Sequence, residues 1–102
     1  MAKFNVKAYA ANTNPNNPST NDKVEADLTV YLFLSPWDKW FRRWNRAYVI
    51  YLGTTKREGS TLTLRDLPKG KSYTFRCNYG KKQFVRSYGT GWSERNISFN
   101  FP

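Results

Sequence analysis

The sequence predicts an all-β fold, a sandwich of about seven strands in a single domain spanning residues 1–102. Three observations carry that expectation. Apolar and polar residues alternate with period two in several stretches, the pattern of half-buried strands. Gly, Pro, Asn and Asp clusters separate those stretches at the spacing usual for sandwiches and barrels. Helical spacing of apolar residues occurs in one short segment, 37–45, where a single short helix is expected.

The first strand is expected over residues 3–10, with Phe4, Val6, Ala8 and Ala10 on one face and Asn5, Lys7 and Tyr9 on the other. Residues 12–22, rich in Asn with two Pro and no apolar side chain, read as a loop. The strongest strand signal is residues 24–34. Ala26, Leu28, Val30, Leu32 and Leu34 share one face; Glu25, Asp27, Thr29, Tyr31 and Phe33 share the other. That second face begins polar and ends aromatic, so its far end should be covered by another part of the chain. Ser35-Pro36 closes the strand, because proline cannot donate to a ladder.

Residues 37–46 read WDKWFRRWNR. Trp37, Trp40, Phe41 and Trp44 fall three or four apart, which is a helical stripe. A strand of mixed pattern follows over residues 47–52, then a polar turn containing Gly53 and Gly59. Leu62 and Leu64 alternate with Thr61, Thr63 and Arg65. Asp66, Pro68 and Gly70 make a turn around Leu67. Tyr73, Phe75, Cys77 and Tyr79 alternate with polar residues, Gly80-Lys81-Lys82 is a tight turn, and residues 84–88 form a short strand. Ile97, Phe99 and Phe101 line the last one.

The stretch 60–80, STLTLRDLPKGKSYTFRCNYG, resembles the E strand, corner and F strand of a fibronectin type III domain. The matching positions are Leu62, Leu64, Leu67, Gly70, Tyr73, Phe75 and Cys77, and the Leu67-x-x-Gly70-x-x-Tyr73 unit is similar to that family's tyrosine corner. Gly91-Trp92-Ser93-Glu94 resembles the start of its last strand. The resemblance covers about 40 residues of the C-terminal half. It implies an immunoglobulin-like (fibronectin type III-like) β-sandwich, with the Tyr73 hydroxyl bonded to backbone a few residues upstream. The N-terminal half departs from the pattern: its Trp residues follow Pro36 instead of sitting inside a strand. Small free-standing modules of this kind recur among bacteriophage virion proteins, and the chain is similar to them.

Composition then bounds function. The chain has no histidine, which removes Ser-His and Cys-His nucleophiles and imidazole zinc sites. Its single cysteine, Cys77, cannot form an intramolecular disulfide, and alternation places it inside as a small apolar residue. The carboxylates are scattered. Glu25 and Asp27 share a strand face but sit at an exposed strand entry, so no catalytic pair is assigned. No cofactor, metal or enzymatic activity is expected. No apolar run approaches the about 20 residues of a membrane span. The N-terminal sequence has no signal-peptide pattern, so synthesis in the cytoplasm is expected, with residence in the virion if the gene is carried by a phage.

What remains is a binding or structural module. The 17 basic and 7 acidic residues give a net charge of +10, uneven along the chain: +3 over residues 1–51 and +7 over 52–102. An anionic partner is expected from that balance. The candidate binding residues are Trp37, Lys39, Trp40, Arg42, Arg43, Trp44 and Arg46, joined by Lys81, Lys82 and Arg86. Trp and Arg are favoured anchors of protein interfaces, so a virion protein or a second copy of this chain is the first expectation. Aromatic rings interleaved with cations also suit stacking and phosphate contacts with single-stranded nucleic acid. Exposed Trp and Tyr suit a carbohydrate or an anionic cell-surface polysaccharide.

Overall fold

The computed structural model describes residues 1–11, 21–57 and 59–102. Among these, eight strands form two sheets. The strands are β1 (Ala2–Ala11), β2 (Asn21–Lys23), β3 (Asp27–Phe33), β4 (Ala47–Thr54), β5 (Leu62–Leu67), β6 (Ser72–Tyr79), β7 (Lys82–Gly89) and β8 (Glu94–Phe101). A five-residue helix, α1 (Pro36–Trp40), and one 3-10 turn, Trp44–Arg46, lie between β3 and β4. The all-β sandwich expected from the alternation is what forms, with one strand more than expected.

In the first sheet β1 is central. β8 runs parallel along one side, from Lys3 opposite Glu94 to Ala10 opposite Phe101. On its other side β1 pairs antiparallel with β5 over its first half and with β2 over its second. The extra strand is therefore β2. Residues 21 and 22, expected in the loop, pair instead with Ala11 and Ala10, and the rest of that expected loop, 12–20, lies outside the described residues. The second sheet has the order β4-β3-β6-β7, antiparallel throughout.

The core is the set of inward positions that alternation had marked. Phe4, Val6, Ala8 and Ala10 of β1, Leu28 and Val30 of β3, Tyr73, Phe75 and Cys77 of β6, and Ile97, Phe99 and Phe101 of β8 are all buried. Their rings meet mainly edge-on or tilted, Phe4 with Phe75 at 5.1 Å and Phe84 with Phe101 at 5.0 Å, geometries that the aromatic quadrupole favours. Two expectations fail at strand ends. Leu34 lies beyond β3 and is exposed, and Tyr79 at the end of β6 is also exposed. The ladder stops at Phe33, so alternation no longer directs the next side chain inward.

Two buried threonines tie loops to strands. Thr55 donates its backbone N–H to the Ala26 carbonyl, while its hydroxyl accepts from the Ala26 N–H and donates to the Val24 carbonyl at 2.7 Å. Thr90 does the same at the Leu67 to Tyr73 corner. Its hydroxyl accepts from the Lys71 N–H at 3.0 Å and lies 2.8 and 3.0 Å from the carbonyls of Lys71 and Pro68, its two acceptor choices. Among the described residues no hydrogen bond runs from the Tyr73 hydroxyl to backbone upstream; the threonine hydroxyl closes the corner in its place. Gly70 turns the chain there with φ 80, and Gly80 opens the two-residue β6–β7 hairpin with φ 61, conformations that a Cβ disfavours.

Candidate functional site

The 37–46 segment is not one helical stripe. Ser35 caps α1 by accepting the Trp37 N–H at 3.2 Å, and Pro36 occupies the first turn, where its missing donor costs nothing. The helix ends after Trp40. Arg42 then takes a left-handed backbone conformation, φ 52, and redirects the chain into the 3-10 turn. The expected helix over 37–45 is accordingly cut to five residues, and Trp44 leaves the face shared by Trp37 and Trp40.

That break sorts the aromatics into two kinds. Trp44 is half-buried on the outer face of the second sheet, 4.6 Å from the Tyr31 ring and 5.7 Å from Phe33. It is the cover that the aromatic end of β3 required. The Arg76 guanidinium lies over its ring at 5.0 Å, and the buried Arg76 Nε has no hydrogen-bond partner among the described residues. An aromatic face attracts a cation without accepting in-plane hydrogen bonds, which accounts for both facts. Trp37, Trp40 and Phe41 stand out instead, 69%, 77% and 57% exposed, with the Trp37 and Phe41 rings stacked at 6.4 Å.

The cations divide in a similar way. Asp38 holds Arg43 at 3.3 Å and Arg46 at 3.6 Å. Lys39 and Arg42 pair with no carboxylate among the described residues. Together with Trp40 they line a groove floored by Thr74, Val85 and Ser87. Lys39 and Lys71 border an adjoining groove next to Ser35 and Pro36. The segment between β3 and β4 thus lies across the outer face of its own sheet and presents three exposed rings beside Lys39, Arg42 and Lys71.

Three expected site residues are not part of this surface. Lys81 and Lys82 sit at the β6–β7 hairpin tip, beside the Asp27 end of β3, whereas α1 follows its Phe33 end. The Lys82 ammonium reaches the Pro102 carbonyl. Arg86 pairs with Phe75 and so points to the opposite face of the sheet, where its guanidinium lies over Phe84 at 4.6 Å. Period-two parity separates Arg86 from Arg76, and parity is the signal that would have exchanged them. Lys71, Tyr31 and Phe33 complete the surface because antiparallel pairing brings the start of β6 beside the end of β3.

Among the described residues no three or more Cys, Asp or Glu side chains gather into a group that could hold a metal ion. Glu25 is exposed and bonded to Arg57 at 3.4 Å. Burial, with the Asp27 charge adding to it, pushes the Cys77 thiol up to about 12, far from the thiolate that reactivity requires. Among the described residues no helix is long and apolar enough to cross a membrane. No protein-family model, curated protein or solved structure matches this chain.

Proposed function

We propose that this chain is a non-enzymatic binding module that holds an anionic protein partner through the aromatic–basic surface on the outer face of its second sheet. The observation that carries the reading is the exposure of Trp37, Trp40 and Phe41 beside Lys39 and Arg42, which pair with no carboxylate among the described residues. Large exposed aromatic side chains gathered in one short segment are a feature of interaction sites on small proteins. Trp and Arg are the residues that dominate interface energetics. The net charge of +10 favours an acidic surface and speeds encounter with it. With the resemblance to immunoglobulin-like virion modules, we place the chain as a capsid-decorating or tail component of a phage particle.

A second reading, single-stranded nucleic acid, draws on the same exposed rings and cations, since stacking plus phosphate contact needs no more than these. Titration of the protein with poly-glutamate, oligo-dT and an acidic glycan separates the possibilities. The first reading expects saturable poly-glutamate binding that quenches tryptophan fluorescence and is lost in Trp40→Ala and Arg42→Glu. Preferred binding of oligo-dT, falling steeply with salt, would replace it with the second. Location of the gene away from capsid and tail genes would overturn the virion assignment.

A further inference from the structure

We propose that β4 is a docking edge which accepts, by strand addition, an extended segment of an acidic partner protein. The incoming strand has apolar side chains at alternate positions and carboxylates at both flanks. The inference rests on the reading above that the partner is a protein, and it names a different surface for it.

β4 ends the order β4-β3-β6-β7. One side bonds to β3; the other is open among the described residues. Every second residue of an edge strand points its N–H and C=O outward, a template for another strand. Proteins normally guard such edges with charge, proline or brevity. The other edges here follow that rule: β7 carries Lys82 and Arg86, β8 carries Glu94 and Arg95, and β5 carries Arg65 and Asp66 with a bulge. β4 reads AYVIYLGT, eight residues with no charge and no proline.

Like β5 it has one register shift, at Ile50, but its exposed side chains are apolar and uncharged. Tyr48, Val49 and Leu52 are 60%, 54% and 77% exposed, and Tyr51 is the β4 side chain that packs against the core. Val49 and Leu52 lie opposite Tyr31 and Thr29, on the outer face; Tyr48 lies opposite Leu32, on the inner one. A strand added beside β4 would therefore meet apolar partners on both faces. The register shift opposite Val30 and Tyr31 leaves two regular stretches, 47–49 and 51–54, for the pairing.

Charge chooses the occupant. Residues 38–58 hold six basic side chains against two acidic ones, Asp38 and Glu58. Arg46 immediately precedes β4, and Lys56 and Arg57 follow it; Asp38 at 3.6 Å from Arg46 and Glu25 at 3.4 Å from Arg57 offset these charges only in part, since the two arginine side chains are 60% and 77% exposed. Antiparallel pairing with a second copy would bring Arg46 of one toward Lys56 of the other at both ends, and like charges across strands repel. A strand flanked by carboxylates turns both contacts into attractions and leaves the uncharged centre for apolar packing. Recognition by strand addition divides the work in this way, main chain for affinity and alternate side chains for specificity.

The test uses the full chain and a designed peptide of alternating Val and Thr with two Asp at each end. Two controls accompany it, one with Lys replacing Asp and one with a central Pro. Amide shifts in two-dimensional NMR should concentrate over residues 47–54 and saturate. The double variant Tyr48→Thr, Leu52→Thr removes the exposed apolar contacts without changing charge, so it should fold as wild type and bind at least about tenfold more weakly. Both control peptides should bind correspondingly worse. No shifts over 47–54, or equal binding of the Lys-flanked peptide, would overturn the inference. So would concentration-dependent dimerisation of the protein alone with shifts at those residues, which would give the edge to a second copy. Trp40→Ala should leave peptide binding intact. If β4 stays silent while Trp40→Ala still abolishes poly-glutamate binding, the strand-addition inference fails and the broader reading stands. If the peptide binds at β4 and Trp40→Ala changes nothing toward poly-glutamate, the reverse holds.

Discussion

Replacing Trp44 with alanine removes the one tryptophan of the 37–46 segment that is seated on the sheet, and the structure lets the cost be worked out. Its ring meets Tyr31 at 4.6 Å and Phe33 at 5.7 Å, and Arg76 sits over it at 5.0 Å. Two ring contacts at about 0.5–1.5 kcal/mol each and a cation–π contact at about 0.5–1 kcal/mol sum to roughly 1.5–4 kcal/mol. Half-burial points to the middle of that range, about 2.5 kcal/mol, or a fall in Tm of about 10–20 °C for a chain of this size. Trp40→Ala in the same background removes a 77% exposed ring and should change stability by less than about 0.5 kcal/mol. Urea titrations of both variants, followed by far-UV circular dichroism so that lost tryptophan emission does not confound them, give the comparison. Equal midpoints for the two variants would refute the division into an anchoring and a displayed tryptophan.

Three further predictions concern the frame that holds this surface. Thr90→Val keeps shape but deletes the hydroxyl at the corner, leaving the Lys71 N–H without its acceptor; a loss of about 2 kcal/mol in urea denaturation is expected. Gly53→Ala would place a Cβ 2.6 Å from the Tyr51 hydroxyl, forcing that ring off the Thr54 carbonyl it bonds at 2.8 Å, so a loss of about 1–3 kcal/mol is expected from chemical denaturation. Cys77 ionises near 9 when unfolded and near 12 when folded, so between those values the unfolded chain releases a proton that the fold retains. Its contribution to stability is therefore full below pH 9 and is lost as pH rises toward 12. The alkaline decline in urea midpoint should be shallower in Cys77→Ala than in wild type.

The sandwich was legible because alternation survives wherever one face of a strand is buried. β1, β6 and β8 have inward positions that read straight from the sequence, Phe4 through Ala10, Tyr73 through Cys77, and Ile97 through Phe101. β2 was not legible, since Asn21 and Asp22 are poor strand formers held by pairing with β1, a non-local cause. The aromatic segment was half legible. The need for a cover over Tyr31 and Phe33 could be read, but the left-handed turn at Arg42 that assigns Trp44 to the task has no sequence signature. The basic set was over-gathered: Lys81, Lys82 and Arg86 are close to one another in sequence, but a hairpin tip and a change of face remove them from the surface. The open edge of β4 gave only a negative signal, the absence of charge from 47–54, which acquires meaning once the sheet order places that strand last.

The parallel pairing of β1 with β8 has a mechanical consequence. Met1 and Pro102 fall at opposite ends of the two neighbouring strands, which are in register from Lys3 to Ala10. Tension applied between them pulls β1 and β8 past each other along their lengths. The ladder is then loaded in shear, with its evenly spaced hydrogen bonds sharing the force together. Tension across the open end of the β6–β7 hairpin would instead part its bonds one pair at a time. Strung between two anchors by Met1 and Pro102, this domain would resist extension until the whole β1–β8 ladder yielded at once, behaving as a stiff link and not as a spring.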